Sequence, residues 1–211
     1  MFTGIVENIG RIAAIKHEQG TARIRIAAPS LAAELRIDDS VAVNGICLTV
    51  VERTEQYFEV DAVRESLSRT TIPLWKKGFT VNLERGMPAT GRFDGHLVQG
   101  HVDTTATLRS REKEGKSQIL TFETEEDLSA MMVEKGSIAI DGVSLTLVKA
   151  EGRQFSVALI PYTLEHSTLG GLRKGDKVNI ETDIIGKYIV RQIKANQNLT
   201  EELLKKWGYR W

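Results

Sequence analysis

Cys47 and Ser144 hold the same place in two nearly identical stretches, VNGICLTV (43–50) and IDGVSLTL (140–147). Each is followed two residues later by a threonine, Thr49 or Thr146. A thiol or hydroxyl becomes a nucleophile when a base or a cation assists it. His96 and His101 stand close together in GHLVQGH (95–101), whereas His17 and His166 sit in charged stretches that read as surface. No cysteine or carboxylate cluster accompanies His96 and His101, so metal binding is the weaker reading for them. Ligand contact, proton transfer near neutral pH and a structural role stay open. Lys135, at the mouth of the second stretch, is either a solvated lysine or an anion or carbonyl contact. Asp183 stands where the first copy has Gly86. A carboxylate gained there is an acid, a base or a hydroxyl partner, or else a plain surface residue. Cys47 and Ser144 also have a bland reading, as small residues that pack well beside good strand formers. No P-loop, dinucleotide fingerprint, nucleophile elbow or zinc motif occurs, and GGLRKGD (170–176) lacks a strand–turn–helix setting.

The elements that position these residues are themselves duplicated. Residues 40–86 align with 137–183 without a gap, through Ser40/Ser137, Gly45/Gly142, Leu48/Leu145, Thr49/Thr146, Asn82/Asn179 and Glu84/Glu181 among others. GIVENIGRI (4–12) matches GHVDTTATL (100–108), so the repeat reaches the chain start. The chain is therefore read as two copies of one domain, 1–96 and 97–186, and a tail, 187–211. Two long copies do not make a solenoid. Period-2 alternation in ARIRIA, SVAVNG, ICLTVV, YFEVDAV and FTVNLE predicts strands, and the second copy repeats it. Asn44-Gly45 and Asp141-Gly142 predict two-residue hairpin turns. Many short strands per copy predict a small closed barrel or a sandwich. Short helices are expected at PSLAAELRI (29–37) and LSAMMVEKG (128–136); REKEGK (111–116) and ETEED (123–127) read as solvated surface. In the tail, Ile185, Ile189 and Ile193 mark one helix face over 184–197, and Thr200 reads as the N-cap of a further turn carrying Leu203, Leu204 and Trp207. An apolar helix after two finished barrels has little core left to join, so it is expected to mediate self-association.

Lys plus Arg and Asp plus Glu both number 28, so nothing advertises a nucleic acid or an anionic membrane. A single cysteine makes no intrachain disulfide, and MFTGIVENIG does not read as a signal peptide. The expectation is a cytoplasmic protein without membrane spans.

MFTGIVE, NGICLTV, GHLVQGHVD, AIDGVSLTL and LIPYTLEHSTLG, in this order, resemble the riboflavin synthase family from Met1 to about Tyr188. The resemblance implies two tandem six-stranded Greek-key β-barrels and a C-terminal α-helix that gathers three chains. It implies conversion of two 6,7-dimethyl-8-ribityllumazine molecules into riboflavin and a pyrimidinedione by four-carbon transfer, with no added cofactor. It places the N-barrel of one chain against the C-barrel of its neighbour. A complex with lumazine synthase stays open.

Carried over, the N-barrel pocket takes Gly4, Ile5 and Val6, then Cys47, Leu48 and Thr49, then Asp61, Ala62, Val63, Arg64, Glu65 and Ser66. The C-barrel pocket takes Gly100, His101 and Val102, then Ser144, Leu145 and Thr146, then Ala158, Leu159, Ile160, Pro161, Tyr162 and Thr163. Lys135 reaches a neighbouring chain. Ser144, Thr146 and Asp183 are expected to deliver a nucleophile to C7 of one lumazine; Cys47, Thr49, His96 and His101 assist on the other side. Tyr162, and Arg64-Glu65-Ser66-Leu67 in place of the common Pro-Glu-Thr-Leu, depart from the family pattern at the ribityl contacts. The alternative is a non-catalytic lumazine- or flavin-binding relative of the same fold. Such relatives tend to lose the polar residues of one copy, and here CLT and SLT are both intact.

Overall fold

The computed structural model describes residues 1–196 and Lys206. Two closed antiparallel barrels follow one another. The first comprises β1 (Asn8–Glu18), β2 (Thr21–Ala27), β3 (Ser40–Val43), β4 (Ile46–Arg53), β5 (Tyr57–Ala62) and β6 (Thr80–Arg85). The second comprises β7 (Thr104–Glu114), β8 (Ser117–Thr124), β9 (Ser137–Ile140), β10 (Val143–Glu151), β11 (Gln154–Leu159) and β12 (Lys177–Thr182). Around the first ring the order is β1-β2-β5-β4-β3-β6, and the second ring has the same cyclic order. Bulges fall at repeat-equivalent places, Ile12/Ala14 with Leu108/Ser110 and Val50/Glu52 with Leu147/Lys149. A bulge bends a strand, and six short strands close only if they bend.

Alternation decides which side chains fill each barrel. Ile46, Leu48 and Val50 point into the first core, and Val143, Leu145 and Leu147 into the second. Cys47 and Thr49, like Ser144 and Thr146, face outward. The hairpins turn at Asn44 (φ 46°) and Gly45 (φ 74°), and at Asp141 (φ 45°) and Gly142 (φ 78°). Positive φ at both central residues matches the right-handed strand twist.

β6 and β12 are buried on both faces, because the barrels meet there about a pseudo-two-fold axis. The Asn82 backbone N–H donates to Asn44 Oδ1 (2.7 Å), while its side chain donates to the Asp141 carbonyl (2.9 Å) and accepts from Thr168 N–H (2.7 Å). Asn179 repeats this: its N–H donates to Asp141 Oδ1 (2.8 Å), its Nδ2 to the Asn44 carbonyl (2.9 Å), and its Oδ1 accepts from Thr71 N–H (2.7 Å). Each asparagine satisfies buried backbone groups of both barrels, which fixes their relative orientation.

Between elements lie α1 (Pro29–Ala32), α2 (Arg64–Arg69) and α3 (Pro161–Glu165). The expected helix in LSAMMVEKG is only a 3-10 turn, Ser129–Met131. REKEGK is not plain surface but the outer end of β7 and its turn into β8. The tail forms α4 (Ile184–Asn196), with Ile185, Ile189 and Ile193 exposed. The Thr200 cap and the turn with Leu203, Leu204 and Trp207 lie outside the described residues.

Candidate active site

The segment that leads into each barrel crosses to the other one. Phe2 pairs with Val98 on the pseudo-axis, both fully buried. From there Gly4 runs against β10, and its carbonyl accepts from Ser144 N–H (2.8 Å). Gly100 runs against β4, and its carbonyl accepts from Cys47 N–H (2.9 Å). Both glycines have φ +79°. A Cβ on Gly4 would stand 2.6 Å from the Ser144 Cβ, and one on Gly100 2.5 Å from the Cys47 Cβ. Only glycine allows this backbone angle and this approach together. Val6 accordingly packs on the second core and Val102 on the first.

This corrects the grouping inferred from sequence. Gly4, Ile5 and Val6 belong with Ser144, and Gly100, His101 and Val102 with Cys47. The repeat marks where each segment lies within its copy but not which barrel it meets.

Two buried glutamates hold the crossing segments. Glu84 on β6 accepts from Thr3 N–H (2.6 Å), Thr3 Oγ1–H (2.9 Å) and Gly4 N–H (3.0 Å). Glu181 on β12 accepts from Gln99 N–H (2.7 Å) and Gly100 N–H (2.9 Å). Burial pushes both carboxyls up from the ordinary range, and these donors oppose the shift. Neither glutamate was singled out from the sequence. The available signal was an identical repeat pair following a buried Leu83 or Ile180.

On the Ser144 side, His96 Nδ1 lies 2.6 Å from Ser144 Oγ. The histidine is held by its own N–H to the Thr3 carbonyl (3.1 Å), and it is 8% exposed. Its Nε2 is buried without a partner among the described residues. Burial lowers its pKa, and the Asp183 carboxylate opposes this. In the Nε2–H tautomer, Nδ1 accepts the Ser144 proton, which is the arrangement of an activated hydroxyl. His96 therefore joins Ser144 rather than Cys47, a second correction. Asp183 is the cap of α4: Oδ1 accepts from Ile185 N–H (2.9 Å). Tyr162 stacks on His166 with ring centroids 4.0 Å apart, and both are exposed.

On the Cys47 side lies a cavity of about 530 Å³, within the roughly 300–1,000 Å³ usual for small-molecule sites. Cys47, Ser66, Gln99, Gly100, His101 and Val102 line it, with Glu65 and Arg69 paired at 2.5 Å. Asp103 and Lys187, also in the lining, form an ion pair at 2.6 Å. Asp103 Oδ2 is held by Thr182 N–H and Oγ1–H, both at 2.8 Å. Asp103, Lys187, Gln99 and Arg69 were not expected, since all four come from linker and helix segments with no strand pattern. α4 thus touches both sites, with Asp183 near His96 and Lys187 in the Cys47 cavity.

The other expected contacts sort by orientation. Leu48, Leu145 and Leu159 point into the cores, so only their backbone is available to a ligand. The Asp61 carboxylate is gripped by Arg23 through two 2.7 Å hydrogen bonds. Ala62 is buried, while Val63, Arg64, Ala158, Ile160 and Pro161 are exposed and Thr163 is half-buried. Lys135 is exposed at φ 66°, its N–H bonded to the Leu147 carbonyl (2.9 Å), and it does not line the Cys47 cavity.

Residues 3–86 and 99–183 each match the lumazine binding domain. The chain is 40% identical to riboflavin synthase of Actinobacillus pleuropneumoniae, over 99% of this chain and 100% of that one. It is 40% identical to riboflavin synthase of Bacillus subtilis, over 98% and 96%. A solved structure of LumP complexed with riboflavin superimposes with a TM-score of 0.78 at 28% identity, covering 86% of this chain and 99% of that one. LumP complexed with 6,7-dimethyl-8-(1'-D-ribityl) lumazine gives a TM-score of 0.77 at 26% identity over the same shares.

Proposed function

The chain belongs to the riboflavin synthase family, with one lumazine binding domain in each half, and from that premise we propose how the two halves share the reaction. The enzyme is a transferase. It dismutates two 6,7-dimethyl-8-ribityllumazine molecules by four-carbon transfer, giving riboflavin and 5-amino-6-ribitylamino-pyrimidinedione. One substrate molecule donates the four carbons and the other accepts them, so no outside oxidant or reductant enters the balance.

The observation that carries the division of labour is the 2.6 Å contact between His96 Nδ1 and Ser144 Oγ. The repeat places Cys47, not a second serine, opposite it. Each half holds one lumazine, the first beside Cys47, Thr49 and His101, the second beside Ser144, Thr146 and His96. The exposed backbone of the crossing segments reads the pyrimidine ring as an added strand would be read. Burial keeps His96 neutral, ready to take a proton from Ser144 or from water held by it. Asp183 stabilises the imidazolium that results. The nucleophile so formed meets C7 of the lumazine in that half, while the partner lumazine gives up a C7-methyl proton. Holding both molecules in place replaces a bimolecular encounter with an effectively unimolecular step.

The exposed Ile185, Ile189 and Ile193 of α4 gather three chains in the cytosol. The Cys47 half of one then faces the Ser144 half of the next, and Lys135 reaches across. The test is incubation of the purified protein with 6,7-dimethyl-8-ribityllumazine. One riboflavin per two lumazines consumed supports the reading; tight binding without turnover overturns it in favour of a ligand carrier.

A further inference from the structure

The two crossing segments end on repeat partners, Glu7 and Asp103, yet these are not held alike. Arg85 and Thr182 are repeat partners too. In the first half the Arg85 backbone N–H donates to Glu7 Oε1 (3.3 Å) and its Nε–H to Glu7 Oε2 (2.7 Å). In the second half the Thr182 backbone N–H and hydroxyl both donate to Asp103 Oδ2. The backbone bond is common to both halves, but threonine brings no positive charge. Lys187 on α4 brings it, with Nζ 2.6 Å from Asp103 Oδ1. The cation that closes the clamp sits on a barrel strand in one half and on the tail helix in the other.

The surroundings show the same exchange. Arg85 is shared with Glu34. With Leu31 set against Leu128, Glu34 is matched by Met131. An apolar residue there needs no guanidinium, and α4 lies against it: a Cβ on Gly186 would stand 2.9 Å from the Met131 carbonyl oxygen. The side chains of Lys187 and Asp103 are 22% and 24% exposed, against 39% and 33% for Arg85 and Glu7. A sheltered pair is screened less than an exposed one. Burial raises the Glu181 pKa and the Lys187 ammonium helps to oppose this, so one cation faces the anchors at both ends of the segment 99–103. Between those anchors lie Gly100, His101 and Val102, which line the Cys47 cavity.

We propose that Lys187 is a positioning residue for the Cys47-side site. Through Asp103 it lets α4 hold the crossing segment down on β4, whereas the Ser144-side segment is held by β6 through Arg85. Loss of the α4 cation therefore loosens the Cys47 pocket and leaves the Ser144 pocket in place. Occupation of the Cys47 pocket by a lumazine rests on the function proposed above; the clamp does not.

Cys47 is the single cysteine, and the Gly100 backbone lies against it. Alkylation of the ligand-free full chain by iodoacetamide, followed by mass spectrometry, thus reports the position of the segment. Lys187→Met should raise the rate about 3- to 30-fold, between the worth of an exposed ion pair and that of a charged hydrogen bond. Lys187→Arg, which keeps the charge, should stay at the wild-type rate, and so should Arg85→Met. Asp103→Asn should raise the rate as Lys187→Met does, and the double variant should raise it no further, because both remove one interaction. Saturating riboflavin should protect Cys47 in wild type and much less in Lys187→Met. An unchanged rate in Lys187→Met, a rise in Lys187→Arg equal to that in Lys187→Met, or an equal rise in Arg85→Met overturns the proposal. If Lys187→Met fails to fold, an unchanged rate in Asp103→Asn overturns it alone. If the rates behave as expected but riboflavin does not protect Cys47 even in wild type, the clamp stands and the placement of a lumazine beside Cys47 falls.

Discussion

Replacing Gly100 by alanine separates the crossing segment from β4 with one methyl group. The new Cβ would lie 2.5 Å from the Cys47 Cβ and 2.7 Å from the Cys47 nitrogen. Gly100 also sits at φ +79°, where an L side chain costs about 1–2 kcal/mol. Overpacking a close contact adds about 1–3 kcal/mol. The sum is about 2–5 kcal/mol, most easily relieved by moving the segment out and losing the bond from Cys47 N–H to the Gly100 carbonyl. Gly20 supplies the control: its φ is +89°, but a Cβ there would meet nothing within 4 Å. Gly20→Ala should cost only the backbone share, about 1–2 kcal/mol. Urea denaturation gives both stabilities, and riboflavin formation gives the consequence for the site. Gly100→Ala is expected to lose more stability than Gly20→Ala and most of its activity. Equal stability losses, or full activity in Gly100→Ala, would refute the close approach as the device that builds the Cys47 pocket.

Other substitutions probe separate links. His96→Gln should lower kcat about 10²- to 10⁴-fold with little change in substrate affinity; a change confined to KM would remove His96 from proton transfer. Burial raises Asp141 to about 7 in the folded chain, against an ordinary 3.8, with Asn179 N–H opposing. Its raised folded value means its stabilising share is full below about pH 4 and is lost as pH rises toward 7. Asp141→Asn, which copies Asn44, should flatten that slope and gain stability at pH 8, on the order of 4 kcal/mol at most; parallel pH–stability curves for the two proteins would contradict it. Ile189→Asp on α4 should reduce the mass seen by light scattering and riboflavin formation together; an unchanged mass would leave the helix without its assembling role.

The hairpins are legible because Asn44-Gly45 and Asp141-Gly142 carry local turn chemistry, and because Leu48 and Leu145 alternate with polar neighbours. β1 and β7 are harder to read because their outer ends overrun the barrels and are exposed on both faces. Arg111, Glu112, Lys113 and Glu114 therefore show no alternation although they pair with β8. The crossing segments are illegible for a different reason. Gly4 and Gly100 announce a close approach but not the partner, and two similar barrels offer the same edge. Glu84 and Glu181 are conspicuous only as a repeated pair, since their role depends on a second barrel covering the outer face of β6 and β12. The apolar face of α4 follows directly from residue spacing, as Ile185, Ile189 and Ile193 need no tertiary context to align.

If each half completes its lumazine site with the other half's lead-in segment, the two sites should respond separately to changes in the two segments. Fluorescence titration with riboflavin, comparing wild type with Gly4→Ala and Gly100→Ala, tests it most directly. Gly4 approaches Ser144 and Gly100 approaches Cys47, each at φ +79°. Two sites per chain are expected in wild type, with loss of the Ser144-side site alone in Gly4→Ala and of the Cys47-side site alone in Gly100→Ala. A cysteine-reactive label protected by ligand at Cys47 in Gly4→Ala, but not in Gly100→Ala, would identify which site remains. Protection with the opposite assignment, or loss of both sites in either variant while the protein stays folded, would contradict it.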